Sequence, residues 1–328
     1  MTAIPHHGRS LLTAAGGDGR LLRALLGLGL LVSGLFALYL AASGRFLPHD
    51  EQFLGMTASQ LCAVHGCRVV HFMIHDRAAF GGALVAVGLL YLWLSESPLR
   101  RGEAWAWWAV AVSGAIGFAS FLAYLGFGYF DGWHAAATLA LLPCYVLGLA
   151  RSHARPGFPE ERGRAVATTA GPPLLSAHGV GRACLLACAA GFAVAGLVIL
   201  AVAMTCVFVP QDLQYMGVGA VELRALNPRL VPLTAHDRAG FGGAVCCFGV
   251  ALFFCVRYGI PSRALWCVLA LAGAAGFGAA VGVHFAVGYS DVVHLAPAAA
   301  GALLYLTGLL LTFRLMVLSA PVERREAN

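Results

Sequence analysis

Histidine, aspartate and arginine stand side by side twice in this chain, in "HDRAAFGGA" at 75–83 and in "HDRAGFGGA" at 236–244. An imidazole next to a carboxylate can ligate a metal, relay a proton or simply pair with the guanidinium beside it. More polar residues recur at matched spacing. "LPHDEQFLG" at 47–55 aligns with "VPQDLQYMG" at 209–217, "GAIGF" at 114–118 with "GAAGF" at 273–277, and "GYFDGWH" at 128–134 with "GYSDVVH" at 288–294, all 159 to 162 positions apart. The candidate ligands in the first half are Asp50, His75, Asp76, Asp131 and His134. In the second half they are Asp212, His236, Asp237, Asp291 and His294. Arg77 and Arg238 stand beside them as ion-pair or substrate-binding residues. His71, one helical turn before His75, and His284, which falls where the first half has Tyr124, complete the set.

Three kinds of chemistry fit these residues. In each half three aspartates and one arginine leave a net −2 with neutral imidazoles, a charge that suits one divalent ion. Histidine with carboxylate favours zinc, iron or manganese over calcium, and a bound metal could act on an amphiphilic or other small-molecule ligand. No HExxH or CxxC pattern reinforces this. The second reading is proton- or ion-coupled transport, with the cavity between two repeats, since histidine and aspartate chains mark proton paths. The third is a salt-bridge clamp in a structural membrane subunit, in which Arg77 and Arg238 hold the carboxylates while Asp131 and Asp291 cap helices. A haem is disfavoured, because only His134 lies at the depth of His71 and His75.

The elements that carry these residues are membrane helices. The chain has 328 residues, 60% hydrophobic and 11% charged, and its 21 basic residues are all arginine. Soluble domains average about 25% charged residues. Eight apolar stretches are long enough to span a bilayer: 21–43, 69–95, 104–127, 131–150, 183–209, 232–256, 264–287 and 291–316. The expected fold is an all-α integral membrane protein of two parallel four-helix repeats. Residues 1–20 form an N-terminal tail, 21–150 the first repeat, 151–182 a linker, 183–316 the second repeat and 317–328 a C-terminal tail. The first stretch exceeds a signal-peptide core and has a counterpart at 183–209, so it reads as a retained span.

Arginine placement sets the expected orientation. Arg45, Arg68, Arg77, Arg224, Arg229 and Arg238 fall on one side, and the other fifteen on the opposite side. The positive-inside rule puts both termini in the cytoplasm of a bacterial cell (inner) membrane, with the polar residues facing outward. The net charge of +6 follows from that bias and calls for no nucleic-acid partner; the partner is the lipid bilayer. Trp93, Trp105, Trp107, Trp108 and Trp266 near the cytoplasmic ends form the expected interfacial belt. Cys62 and Cys67 lie outside the membrane, suited to a disulfide in an oxidising compartment or, with His65, to a metal cluster. The polar residues are expected to converge in one pocket per half, with the histidine-richer first half as the working one. Oligomeric state is not legible.

Overall fold

A computed structural model describes residues 17–122, 126–153, 173 and 175–318; Tyr124 lies outside the described residues. Within them the protein is all-helical, with 83% helix and no strand, and eight helices are long and apolar enough to cross a membrane. These are α1 (Arg20–Ser43), α4 (Arg68–Glu96), α5 (Ala104–Leu122), α6 (Gly132–His153), α7 (Ala177–Met204), α10 (Leu230–Tyr258), α11 (Arg263–Val287) and α12 (Val292–Phe313). Four short helices, α2 (Pro48–Leu54), α3 (Ala58–Cys62), α8 (Pro210–Met216) and α9 (Ala220–Leu226), link the long ones.

The spans match the sequence reading to within a few residues, with two informative exceptions. Helix α7 starts at Ala177, inside the stretch assigned to the linker, because Ser176 accepts a hydrogen bond from the Gly179 N–H and caps it. It ends at Met204, well before 209, because Val207 takes a left-handed conformation (φ 66°) and Pro210 opens the next helix. The third span also stops short of 127, since residues 126–128 form turns.

The short helices were not foreseen, although the start signal is visible. Pro48 and Pro210 occupy first-turn positions, where a missing N–H costs nothing. Two residues on, the Asp50 and Asp212 carboxylates accept from the backbone N–H of Leu47 (3.3 Å) and Val209 (2.9 Å). Around these turns Phe46, Leu54, Phe72, Tyr129, Phe208, Met216 and Tyr289 form a buried cluster. That cluster covers the end of the bundle where both HDR triplets lie.

Helices α4 and α10 occupy the centre. In their most apolar windows 72% and 78% of residues are buried, against 11–33% for the other six. Each packs on the span before it, α4 on α1 and α10 on α7, and the two touch each other. Glycines make the close pairings possible. A Cβ added at Gly34 would lie 2.7 Å from the Gly81 carbonyl, and one at Gly196 would lie 2.6 Å from the Gly242 carbonyl. Each central helix also crosses over: α4 packs against α11, and α10 packs against α5. Chain order therefore does not divide the bundle into two separate halves at its centre.

Candidate functional site

That crossing governs where the polar side chains meet. The expected pocket within each half is corrected, because both clusters mix the first four spans with the last four. In one cluster α4 supplies His75 while α11 and α12 supply His284 and His294. In the other α6 supplies His134, the residue just before it supplies Asp131, and α10 supplies His236. In each trio the ligand atoms lie within 4.8 Å of one another. Neither of these two trios is made by one half alone, although a further group, His49, Asp50 and Asp131, lies wholly in the first half.

The His75 cluster is closed. His75 Nε2 and His284 Nε2 face each other at 3.1 Å. Nδ1 of His75 lies 3.0 Å from Asp76 Oδ1, so the adjacent residues meet although they start about 100° apart on the helix. Nδ1 of His284 lies 2.6 Å from the Tyr289 carbonyl. His294 stacks on Tyr289, with ring centroids 4.5 Å apart. Beneath the imidazoles Arg238 is buried and donates to Asp76 Oδ2 (2.8 Å), and its Nη1 stands 2.7 Å from Asp212 Oδ2 and donates to the Val207 carbonyl at 2.6 Å. The left-handed Val207 costs on the order of 1–2 kcal/mol, and its carbonyl is thereby presented to Arg238. The guanidinium also lies 4.8 Å over the Phe72 ring. The Tyr289 hydroxyl donates to Asp212 at 2.8 Å. Burial and then the adjacent Asp212 charge push that phenol well above its ordinary range.

The Asp131 cluster is more open. Asp131 Oδ1 accepts from the backbone N–H of Trp133 (2.8 Å) and His134 (3.1 Å), the expected helix-capping role. Its side chain also lies 2.7 Å from His134 Nδ1, 3.0 Å from His49 Nε2 and 3.7 Å from His236 Nε2. His134 Nδ1 is in turn 2.8 Å from His236 Nε2. Burial pushes the Asp131 carboxyl up, but the hydrogen bonds to His134 and His236 outweigh it and hold the group well below the usual carboxylate range. Arg77 donates to Asp50 at 3.1 Å and stands 3.6 Å from Asp237. The Tyr129 hydroxyl donates to Asp50, and burial followed by that charge raises the phenol.

The arginines are exchanged between the two central helices. Arg238 of α10 reaches Asp76 of α4, and Arg77 of α4 faces Asp237 of α10. Both arginines are ion-paired, but with Asp50, Asp237, Asp76 and Asp212 rather than with the helix-capping Asp131 and Asp291 expected to pair with them. Not every candidate joins a ligand trio. Asp76, Asp212 and Asp237 serve the arginines, and Asp291 only caps α12, accepting from the His294 N–H at 2.8 Å. His71 is half-buried on α4 and belongs to no ligand group among the described residues. His49, one of the histidines present only in the first half, is not among the candidate ligands read from the sequence, yet it forms a further group with Asp50 and Asp131. Sequence reasoning also missed Tyr129 and Tyr289, although both stand inside the repeated "GYxDxxH" pattern. Cys62 and Cys67 are joined in a disulfide, which removes both thiolates from the metal cluster considered with His65.

A cavity of about 220 Å³ opens from the Asp131 side. Asp50, Arg77, Asp131, His134 and Asp237 line its polar end, and Leu30, Leu84, Phe118 and Leu141 line its apolar body. No protein-family model, curated protein or solved structure matches this chain.

Proposed function

We propose that the protein is a metal-binding integral membrane protein whose centre is His75, His284 and His294. The observation that carries this is the pair of Nε2 atoms facing each other at 3.1 Å. A neutral imidazole has one N–H. Nδ1 of His75 abuts a carboxylate oxygen and Nδ1 of His284 abuts a carbonyl oxygen, so both protons belong on Nδ1. Two lone pairs then point at each other in a buried space, with a third imidazole alongside. A cation between them resolves the conflict. The carboxylate and carbonyl behind the rings are the usual outer partners of metal-bound histidine. Three imidazoles suit zinc best and leave one coordination position for a water or ligand oxygen, the pattern of catalytic zinc.

The topology belongs to the same proposal: two copies of one four-helix unit running in the same direction, with the clusters on the extracytoplasmic side of the cell membrane. Several paired contacts support the duplication. Trp107 donates to the Leu149 carbonyl (3.1 Å) and Trp266 to the Leu309 carbonyl (2.9 Å). Tyr145 packs on Gly114 as Tyr305 packs on Gly273. The disulfide next to α4 suits an oxidising compartment and agrees with the arginine asymmetry.

Metal analysis of detergent-purified protein, prepared without chelator, tests the centre. The expected result is about one zinc per chain, lost in His75→Ala and His284→Ala and kept in His134→Ala. Metal-free wild-type protein overturns the proposal and assigns the gap between the imidazoles to a shared proton. Equal metal in wild type and His284→Ala overturns it as well.

A further inference from the structure

We infer that the cavity on the Asp131 side holds one hydrocarbon chain of an amphiphile with a cationic, hydrogen-bond-donating head, an alkylammonium in chemical class. The inference concerns a different set of side chains from the imidazole trio around His75 and does not depend on metal there.

The shape argues for a chain. Along α4 the lining runs from Arg77 to Tyr91, about 21 Å at 1.5 Å per residue. That exceeds half the ~30 Å hydrocarbon thickness of a bilayer. A volume of about 220 Å³ spread along that length describes a narrow, elongated space. Below the polar end the walls are mostly leucine, phenylalanine, alanine and glycine, with Ser33, Tyr91, Ser120, Thr138 and Cys247 among them, and a mainly apolar space of this kind favours hydrocarbon over water. Phe36 of α1 and Trp133 of α6 line the cavity and are also 47% and 64% exposed on the outside of the bundle. The tube therefore reaches the lipid-facing surface between α1 and α6, where an amphiphile can enter from the bilayer.

The charge argues for the head. Three carboxylates, Asp50, Asp131 and Asp237, face one guanidinium, Arg77, at the polar end. Asp50 is already held by Arg77 and Tyr129, and Asp131 by imidazoles and backbone. Asp237 is not held in this way. Its Oδ2 is buried and accepts no hydrogen bond among the described residues, with Arg77 Nη2 3.6 Å away. A buried carboxylate oxygen left without a donor is costly. An ammonium at the top of the tube supplies donors and positive charge together. A phosphate or sulfate head in the same place meets net negative charge.

The test uses full-length protein in lipid nanodiscs and two fluorescent probes of equal chain length, a long-chain alkylamine and the matching alkyl phosphate. The amine is expected to bind about 10–100-fold more tightly, the range of one or two charge-assisted hydrogen bonds. Asp237→Asn should reduce that preference to within about threefold while leaving zinc content at the wild-type level. Gly117→Leu fills the tube from α5, where an added Cβ meets only Cys247, at 3.6 Å or more; it should abolish binding of both probes. Thr138→Phe fills the tube from α6 and serves if the α5 variant does not fold. Equal binding of amine and phosphate by wild type, tighter binding of the phosphate, or amine binding untouched by both filling substitutions overturns the inference. Loss of zinc with amine binding intact would sink the metal proposal and leave this one standing.

Discussion

The His75 cluster and the Asp131 cluster are built from corresponding residues and use their space in opposite ways. Each has a central-helix histidine, a capping aspartate, a histidine three residues later, a tyrosine on a carboxylate and an arginine across the helix pair. In the first, Asp291 makes no contact with the imidazole rings among the described residues, and His284 adds a third ring. The result is a compact knot of rings in which Asp76 and Asp212 are 1% and 0% exposed. In the second, Asp131 turns to three imidazoles and the floor opens into a cavity. The comparison teaches that one polar pattern can pack into a closed knot of imidazoles in one place and open onto a cavity in another.

Removing the arginines gives the largest contrast. Arg238→Met removes the guanidinium that two fully buried carboxylates share, leaving Asp76 with His75 and Asp212 with Tyr289 and the Val209 N–H, and losing one partner of such a buried set costs about 3–5 kcal/mol. Arg77→Met leaves Asp50 with Tyr129 and leaves Asp237 at a cavity wall, so the expected cost is nearer 1–3 kcal/mol. Unfolding in detergent, followed by helical signal against denaturant, measures both. Equal losses would erase the distinction between a sealed cluster and an open one.

The open cluster is next tested through Asp131, by pH. Its carboxyl is depressed in the folded protein, so its stabilisation is fully present above the ordinary aspartate value of about 3.9 and is lost as pH falls through the lower folded value. Asp131→Asn should cost about 2–3 kcal/mol at neutral pH. The gap to wild type should persist down to about pH 4 and narrow only below it. A gap that closes near pH 6 would mean that the imidazoles, rather than this carboxylate, organise the cluster.

Much of this architecture is legible in the sequence, and the reason for each gap is physical. The spans are visible because a lipid-crossing helix must be long and apolar. The polar residues are visible because anything charged inside such a chain stands out. A helix period tells which residues share a face, as with Asp131 and His134, but not which helix lies opposite. The meeting of His75 with His284, or of His134 with His236, spans more than 100 positions and follows from α4 crossing to α11 and α10 crossing to α5. No periodicity encodes that. Asp291 shows the converse limit, because a repeated letter at a repeated spacing need not repeat its contacts. The short helices escaped notice because seven or fewer residues carry too little period, even with proline and aspartate at their starts.

The tyrosines give the smallest and sharpest comparison. Tyr129 donates to Asp50 and Tyr289 to Asp212, and each carboxylate also serves an arginine and a helix start. Removing one hydroxyl leaves the acceptor partly satisfied, so Tyr129→Phe and Tyr289→Phe should each cost about 1.5 kcal/mol, the low end for a bond to a charged group. Stability alone would not separate them, but function should. Tyr289 packs against His294 and carries the carbonyl that fixes His284. A changed ring position there should weaken zinc about 10-fold, as lost outer partners do. Tyr129 lies 4.9 Å from the His236 ring, in the cluster to which no zinc is assigned, so Tyr129→Phe should leave zinc affinity unchanged. Competition with a chelator on the two purified variants reads the difference. If Tyr129→Phe weakens zinc as much as Tyr289→Phe does, the two clusters share one metal chemistry and their assignment to different roles is wrong.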